Sequence, residues 1–258
     1  MTVSDLFSIE GKTALVTGGS RGIGRMIAEG FVDAGATVYI SSRKAEVCDE
    51  VAAELSSRGT CRSLPADLST EAECRRLADA LAEREGSLDV LVNNAGANWG
   101  APLAEFDDAA WNRVLDLNVK GVFHLTKFLV PLLAAAGTHD DPARVINIGS
   151  IDGIQVPRLE TYSYSASKAA VHHMTKVLAL HLAPQHVTVN AIAPGPFESK
   201  MMAATLEAAG DAIARSAPLR RIGRPDDMAG AAIFLASRAG SYLTGTVIPV
   251  DGGIATTK

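Results

Sequence analysis

Positive charge is in short supply in this chain: 24 lysines and arginines stand against 29 acids, a net charge of −5. No basic block offsets that balance, so the footprint with which a protein grips nucleic acid is missing. Long apolar runs are missing too. The longest, Phe128 to Gly137, spans about ten residues and contains Pro131, well short of a membrane-spanning helix. The opening Met-Thr-Val-Ser-Asp has neither a charged nor an apolar leader, so no secretory signal is expected. Cysteine is scarce. Cys48, Cys61 and Cys74 are odd in number and form no CxxC pair, which fits free thiols in a reducing cytoplasm. His172, His173 and His181 fall on one helical segment, but no acid or cysteine completes a tetrahedral set with them, and no metal is expected.

Apolar residues, by contrast, make up 47% of the 258 residues, enough for one large core. Short β-rich runs alternate with helical patterns along the whole chain. The expected strands are Thr13–Thr17, Thr37–Ser41, Cys61–Ala66, Asp89–Asn93, Arg144–Gly149, Val187–Ala193 and Val247–Val250. Helical periods fill segments between them, for example Ile23–Ala34, Glu71–Glu83, Trp111–Ala136 and Ala166–Leu182. Such alternation predicts an α/β fold: a Rossmann-type, doubly wound, seven-stranded parallel sheet flanked by helices. Nothing reads as a linker or repeat, so residues 1–258 are expected to form a single domain. Residues 198–223 carry the weakest pattern and are expected to form a mobile substrate-binding lid.

The first strand runs straight into Thr17-Gly18-Gly19-Ser20-Arg21-Gly22-Ile23-Gly24, and a helix follows. Glycines permit a tight turn and let backbone N–H groups approach a pyrophosphate at the helix N-terminus. The spacing is Gly-x3-Gly-x-Gly rather than the commoner dinucleotide fingerprint. An acid at the end of the second strand would hold the ribose hydroxyls of NAD. Here Ser41-Ser42-Arg43-Lys44 stands instead, with no acid before Glu46, and Arg21 lies in the glycine loop. Guanidinium groups bind a 2′-phosphate through charge-assisted hydrogen bonds, so the expected cofactor is NADP(H).

Tyr164 and Lys168 lie four residues apart in a helical segment and therefore share a face. A nearby cation stabilises a phenolate, so the pair is expected to lower the tyrosine pKa and form a proton donor for a carbonyl oxygen.

Taken in order, these motifs resemble the short-chain dehydrogenase/reductase family over nearly the whole chain. Thr17–Gly24 looks like its TGxxxGxG loop, and Asp67 in Ala66-Asp67-Leu68 like its adenine-contacting acid. Asn93-Asn94-Ala95-Gly96 is similar to the NNAG turn, Pro194-Gly195 to the PG turn, and Asp251-Gly252-Gly253 to the C-terminal DGG. Asn118, Ser150, Tyr164 and Lys168 match the catalytic set. Ser150 precedes Tyr164 by fourteen residues where thirteen is more usual. Tyr162, also near that spacing, is six residues from Lys168 and off its face, so Tyr164 is taken as the acid and Tyr162 as a pocket or structural residue.

The resemblance implies hydride transfer between a nicotinamide and a carbonyl or carbinol carbon. Tyr164 would carry the proton, Lys168 would tune it and hold the ribose, Ser150 would hold the substrate oxygen, and Asn118 would hold a relay water. Cofactor contacts are expected from Gly18, Ser20, Arg21, Gly22, Ile23, Gly24, Ser42, Arg43, Asp67, Leu68, Asn94, Ala95, Gly96, Pro194, Gly195, Phe197 and Ser199, together with Tyr164 and Lys168. Assembly is expected as a homotetramer, a homodimer being the smaller alternative, and no membrane or nucleic-acid partner is expected.

Trp99, Ile151, Ile154, Val156, Leu159, Met201 and Met202 predict an apolar pocket, suited to an acyl chain or another hydrophobic ketone. Within the family the motifs look most like NADPH-dependent β-ketoacyl reductases of the rhamnolipid-associated type. Thr138–Asp141, an expected surface loop, and Ala183–His186 lack arginine and lysine, while Asp140 and Asp141 would repel an acidic carrier protein. A free or CoA-linked 3-oxoacyl substrate is therefore favoured. The alternatives are a sugar or polyol dehydrogenase and, in another class, a non-catalytic NADP-binding regulator.

Overall fold

The computed structural model describes residues 2–157, 159–199 and 202–257; Lys200 and Met201, two residues of the expected lid, lie outside the described residues. Seven strands, β1 (Thr13–Thr17), β2 (Thr37–Ser41), β3 (Cys61–Ser63), β4 (Val90–Asn93), β5 (Ala143–Ile148), β6 (Val187–Pro194) and β7 (Val247–Val250), form one sheet. Their order is β3-β2-β1-β4-β5-β6-β7, and every pairing is parallel. The helices are α1 (Val3–Phe7), α2 (Gly22–Asp33), α3 (Ala45–Leu55), α4 (Glu71–Ala82), α5 (Asp108–Leu115), α6 (Val122–Ala136), α7 (Tyr162–Leu182), α8 (Ala203–Ser216) and α9 (Pro225–Ala236).

Helices on both faces cover the central strands, so β4, β5 and β6 are buried at every position rather than at alternate ones. Neighbouring residues still divide between the layers. Val16, Val92 and Ile146 face Ile27, Phe31, Met228 and Leu235. Leu15, Leu91 and Val145 face Leu77, Leu125, Leu129 and Leu133. The order of connection reverses between β1 and β4, which opens a crevice at their carboxyl ends.

Three elements differ from the sequence expectation by more than one residue. β3 stops at Ser63 instead of Ala66, although Leu64 N–H and Ala66 N–H still donate to Ile40 O at 2.8 Å and Ser42 O at 3.2 Å. α7 begins at Tyr162, four residues early, and so carries Tyr164 within its first turn. The expected helix Trp111–Ala136 begins at Asp108 and is interrupted by a π-helical turn, Asp116–Gly121, centred near Asn118. Asp108–Ala136 is long and apolar enough by composition to cross a membrane. Its Leu125, Leu129 and Leu133 are nevertheless buried against the sheet, as in a core helix of a layered domain. The lid region contains α8, kinked at Ala209.

A buried polar ladder ties the layers together behind the crevice. Asn93 and Asn147 are register partners on β4 and β5. Asn93 Nδ2 donates to Asn147 Oδ1 at 2.9 Å and to Thr126 Oγ1 at 3.0 Å, and Asn147 Nδ2 donates to Thr175 Oγ1 at 2.9 Å. Both threonine hydroxyls then donate to carbonyls one turn back, Val122 at 2.7 Å and Val171 at 2.8 Å. The ladder thus runs from α6 through the sheet to α7.

At the opposite end of the sheet, Asp141 accepts from Lys12 Nζ at 2.8 Å and from the fully buried Arg144 at 2.7 Å. Burial alone would raise the Asp141 carboxyl, but these two cations hold it below its ordinary value. Asp141 is therefore not the free surface acid that the sequence suggested; of that pair only Asp140 stays exposed and without a cation from lysine or arginine among the described residues.

Replacing Asn147 by Ala should cost about 2–3 kcal/mol, because Asn93 and Thr175 lose a buried partner together. A urea titration should show a lower midpoint with an unchanged slope; an unmoved midpoint would remove the ladder from the stability of the fold.

Candidate active site

The glycine loop closes on the β4 turn with no room for side chains. Gly18 has φ +64, and a Cβ there would lie 2.6 Å from Asn94 Nδ2. A Cβ on Gly24 would lie 2.4 Å from the Gly18 carbonyl oxygen. Asn94 uses its amide to join the two loops, donating to Thr17 O at 2.8 Å and Gly18 O at 3.3 Å. Thr17 Oγ1 returns the link, accepting from the N–H groups of Asn94 at 2.9 Å and Ala95 at 3.0 Å. Ser20, Gly22 and Ile23 lie on the same turn into α2, and Gly96 packs against Asn118 Oδ1.

α2 opens without a side-chain cap, so its first N–H groups remain available to an anion. Arg21, Arg43 and Lys44 are exposed and form no ion pair among the described residues. Ser41 Oγ is buried beside them with no hydrogen-bond partner, and Ser42 is half-buried. An uncapped helix start, a cradle that a Cβ would fill and unpaired cations at the end of β2 fit a phosphorylated dinucleotide. Asp67 is half-buried and accepts from Ser69 N–H at 3.2 Å, and Leu68 is buried next to it. Across the crevice, Pro194 ends β6 and Gly195 donates to Val250 O at 3.0 Å. Phe197 is buried, and Ser199 Cβ lies 3.1 Å from the position a Cβ on Gly22 would take. The base of the lid segment therefore meets the glycine loop.

Ser150 follows β5 and caps a short 3-10 turn, Ile151–Gly153, by accepting from Asp152 N–H at 3.1 Å. Its hydroxyl hydrogen is left to donate elsewhere. Tyr164 and Lys168 sit one above the other on α7, with Nζ 5.5 Å from the ring centroid. Lys168 is 6% exposed and donates to Ile148 O at 2.8 Å. Tyr162 turns away from this group: its hydroxyl donates to Glu160 at 2.7 Å, and its ring meets Phe106 edge-on.

Burial pushes the Tyr164 phenol up to about 12; the Ser150 hydroxyl opposes this and Asp152 adds to it. Burial also pushes Lys168 down to about 8, against the pull of Asp152. The lowered tyrosine expected from the sequence is thus opposed by burial. The ammonium lies over the ring face and is committed to a carbonyl, so desolvation dominates the phenol.

Asn118 is buried on the π-helical turn, and its side chain is heavily used. Oδ1 accepts from Ala97 N–H at 2.8 Å, while Nδ2 donates to Ala97 O at 2.9 Å and to Ser167 Oγ at 3.0 Å. It joins the loop after β4 to α7. His172, one turn beyond Lys168, is buried against the serine turn, whereas His173 and His181 are exposed. Asp152 and Ser167 carry no motif in the sequence, and His172 is weighed there only as a metal ligand; the one signal is an acid two residues past Ser150 and a histidine four past Lys168.

A family model described as enoyl-(acyl carrier protein) reductase matches residues 18–255. The chain belongs to the short-chain dehydrogenase/reductase family. It is an oxidoreductase of that family, similar to the rhamnolipids biosynthesis 3-oxoacyl-[acyl-carrier-protein] reductase of Pseudomonas aeruginosa. The two are 51% identical over 249 residues, 96% of this chain and 97% of the relative. Among solved short-chain dehydrogenase/reductase structures, the Pseudomonas aeruginosa RhlG/NADP active-site complex is 50% identical with a TM-score of 0.94, covering 97% of this chain and 99% of that one. A gluconate 5-dehydrogenase from Burkholderia cenocepacia, in complex with NADP and tartrate, is 32% identical with a TM-score of 0.93, covering both chains fully at 100%.

A Cβ on Gly149 would fall 2.1 Å from His172 Nε2. Gly149→Ala should therefore destabilise the fold by about 1–3 kcal/mol, and His172→Ala in that background should recover part of the loss. Thermal midpoints of the two variants test this; no recovery in the double variant would show that the clash lies elsewhere.

Proposed function

We propose that this chain is an NADP(H)-dependent reductase of hydrophobic ketones, with 3-oxoacyl thioesters as the preferred substrate class. The observation that carries the reading is the convergence of Ser150, Tyr164 and Lys168 beside a glycine loop flanked by unpaired arginines. NADPH, when bound, supplies the hydride. Gly18, Ser20, Gly22, Ile23 and Gly24 would offer backbone to its phosphates, and Arg21, Ser42 and Arg43 would hold the 2′-phosphate. Asp67 and Leu68 would line the adenine. Asn94, Ala95, Gly96, Pro194, Gly195, Phe197 and Ser199 would line the rest of the groove.

In reduction, Ser150 Oγ–H donates to the substrate carbonyl oxygen and steadies the growing alkoxide. Tyr164 transfers its proton to that oxygen, so a ketone gains one hydride and one proton and becomes a secondary alcohol. Lys168 stabilises the phenolate left behind. Asn118 holds Ala97 and Ser167 in place around them.

An apolar rim supports the substrate class. Trp99, Ile154, Val156 and Leu159, on the segments that follow β4 and β5, are all exposed large hydrophobic residues, and Leu159 lines a cavity with Asn98, Ala101 and Thr161. Such a rim suits an acyl chain better than a polyhydroxy substrate. The likeness to a gluconate 5-dehydrogenase keeps sugar or polyol oxidation as the second reading. Pairing of Asp141 with Lys12 and Arg144 removes much of the electrostatic objection to a carrier-bound substrate, so both CoA and carrier thioesters belong in the test. Exposed Phe123, Val177 and Leu180 on α6 and α7 support assembly as a homotetramer. Buried free thiols at Cys48, Cys61 and Cys74 support a reducing, cytoplasmic setting.

Fluorescence titration should show much tighter binding of NADPH than of NADH, and Arg43→Ala should narrow the difference by about ten- to a hundredfold; equal affinities in the unaltered chain would refute the 2′-phosphate site. Tyr164→Phe should lower turnover of 3-oxoacyl-CoA and 3-oxoacyl-carrier thioesters by about 10²–10⁴-fold with NADPH binding kept. Retained turnover would move the acid to another residue, and faster turnover of sugars than of thioesters would favour the second reading. Light scattering at four times the chain mass is the expected result for the assembly; a monomer would contradict it.

A further inference from the structure

Ser150 is carried by the turn that follows β5, residues 149–153. Three hydrogen bonds shape this turn. Gly149 N–H donates to Ile192 O on β6 at 2.7 Å, Gly153 N–H closes on Ser150 O at 3.0 Å, and Ser150 Oγ accepts from Asp152 N–H at 3.1 Å. They tie the first residue to the sheet and close the turn on itself. They do not set how far the turn stands from α7, where Tyr164 and Lys168 lie.

One side chain of α7 meets both ends of the turn. His172 is 7% exposed. A Cβ on Gly149 would lie 2.1 Å from its Nε2, 2.7 Å from Cδ2 and 3.3 Å from Cε1. A Cβ on Gly153 would lie 2.9 Å from its Cε1. The ring is thus in close contact with backbone on either side of Ser150, and only glycine fits at those two places. His172 Nε2 is buried and has no hydrogen-bond partner, so at this atom the ring meets the turn by packing alone. Burial, and after it the charge of Lys168, push the imidazole below the ordinary histidine range, so the group filling the space is neutral. Tyr164, Lys168 and His172 follow one another at intervals of four residues on α7 and share a face of that helix. The face that carries the proton donor therefore also carries the ring on which the serine turn rests.

We propose that His172 is a positioning residue for Ser150: its imidazole is the spacer that fixes the serine turn against α7 and so places the Ser150 hydroxyl beside Tyr164. The inference rests on the reading of Ser150 and Tyr164 given above, and it gives His172 no contact with substrate or cofactor. Its physical basis is close packing. A buried ring that is cut away leaves a void into which the surrounding backbone relaxes only in part. Gly149 is bonded directly to Ser150, so any relaxation there moves the serine hydroxyl. A hydrogen bond to a growing alkoxide is sensitive to such movement, since a misplacement of about 1 Å can lower a rate by about a hundredfold.

The test is a double-mutant cycle between His172 and Ser150. It is read by single-turnover reduction of a 3-oxoacyl-CoA with enzyme in excess, which keeps slow variants measurable. His172→Ala should lower the rate at saturating substrate by about ten- to a hundredfold, with the half-saturating substrate concentration and NADPH affinity within about twofold of the original. In a Ser150→Ala background the same change should lower the rate by less than about threefold, because the group it places is already gone. His172→Gln, uncharged and close in volume, should recover most of the loss. Equal losses with and without the serine overturn the inference, and so does a folded His172→Ala of unaltered rate. If His172→Ala does not fold, His172→Leu carries the cycle with the same two outcomes. Ser150→Ala at full rate sinks the reading of the site and the inference with it, whereas a slow Ser150→Ala with an independent His172 loss sinks only the spacer.

Discussion

A lysine ammonium taken out of water is unstable unless its surroundings are arranged for it, and Lys168 is 6% exposed. Much of the site geometry follows from that burial. The ammonium needs an acceptor, and the last carbonyl of β5, Ile148, supplies it at 2.8 Å. For the carbonyl to be in reach, α7 must lie tight against the end of the strand. That approach is possible because Gly149 and Gly153 have no side chains to hold the helix away. Ser150, between the two glycines, is thereby placed next to Tyr164 rather than in solvent. The burial that strains Lys168 also lifts Tyr164, and the carboxylate of Asp152 acts on both.

The rest of the fold holds this arrangement from behind. The Asn93–Asn147 ladder sets the register of β4 against β5 and anchors α6 and α7 through Thr126 and Thr175. Asn118 joins the β4 loop to Ser167, in the same turn of α7 as Lys168. Asn94 and Thr17 join the β4 loop to the glycine loop. Nucleotide groove and proton-transfer group are therefore parts of one hydrogen-bonded frame. Loosening either should be felt in the other, since buried polar networks are stable only when fully paired.

Substrate choice rests on weaker physics. An apolar rim is non-directional and accepts many shapes, so it separates chemical classes better than individual molecules. The chain resembles both a 3-oxoacyl-[acyl-carrier-protein] reductase and a gluconate 5-dehydrogenase across nearly its full length. One scaffold thus carries relatives named for quite different substrates, and the difference must lie in a few side chains of the rim and the segment after β6.

The strand–helix alternation, the glycine loop and the Tyr164–Lys168 pair were legible because each is local. Period, turn chemistry and one-face spacing are set by neighbours in sequence. The pKa of Tyr164 was misjudged from sequence, because spacing places a cation near a phenol but does not reveal how much water is excluded from both. Asp141 reads as a free surface acid in the sequence, but the fold brings Lys12, 129 residues away, and the nearby Arg144 onto it. Asp152 carried no motif at all. The sequence by itself determined the fold class and which side chains could exchange a proton; only the tertiary structure decided their charge states, because desolvation and counter-ions depend on packing between segments distant along the chain.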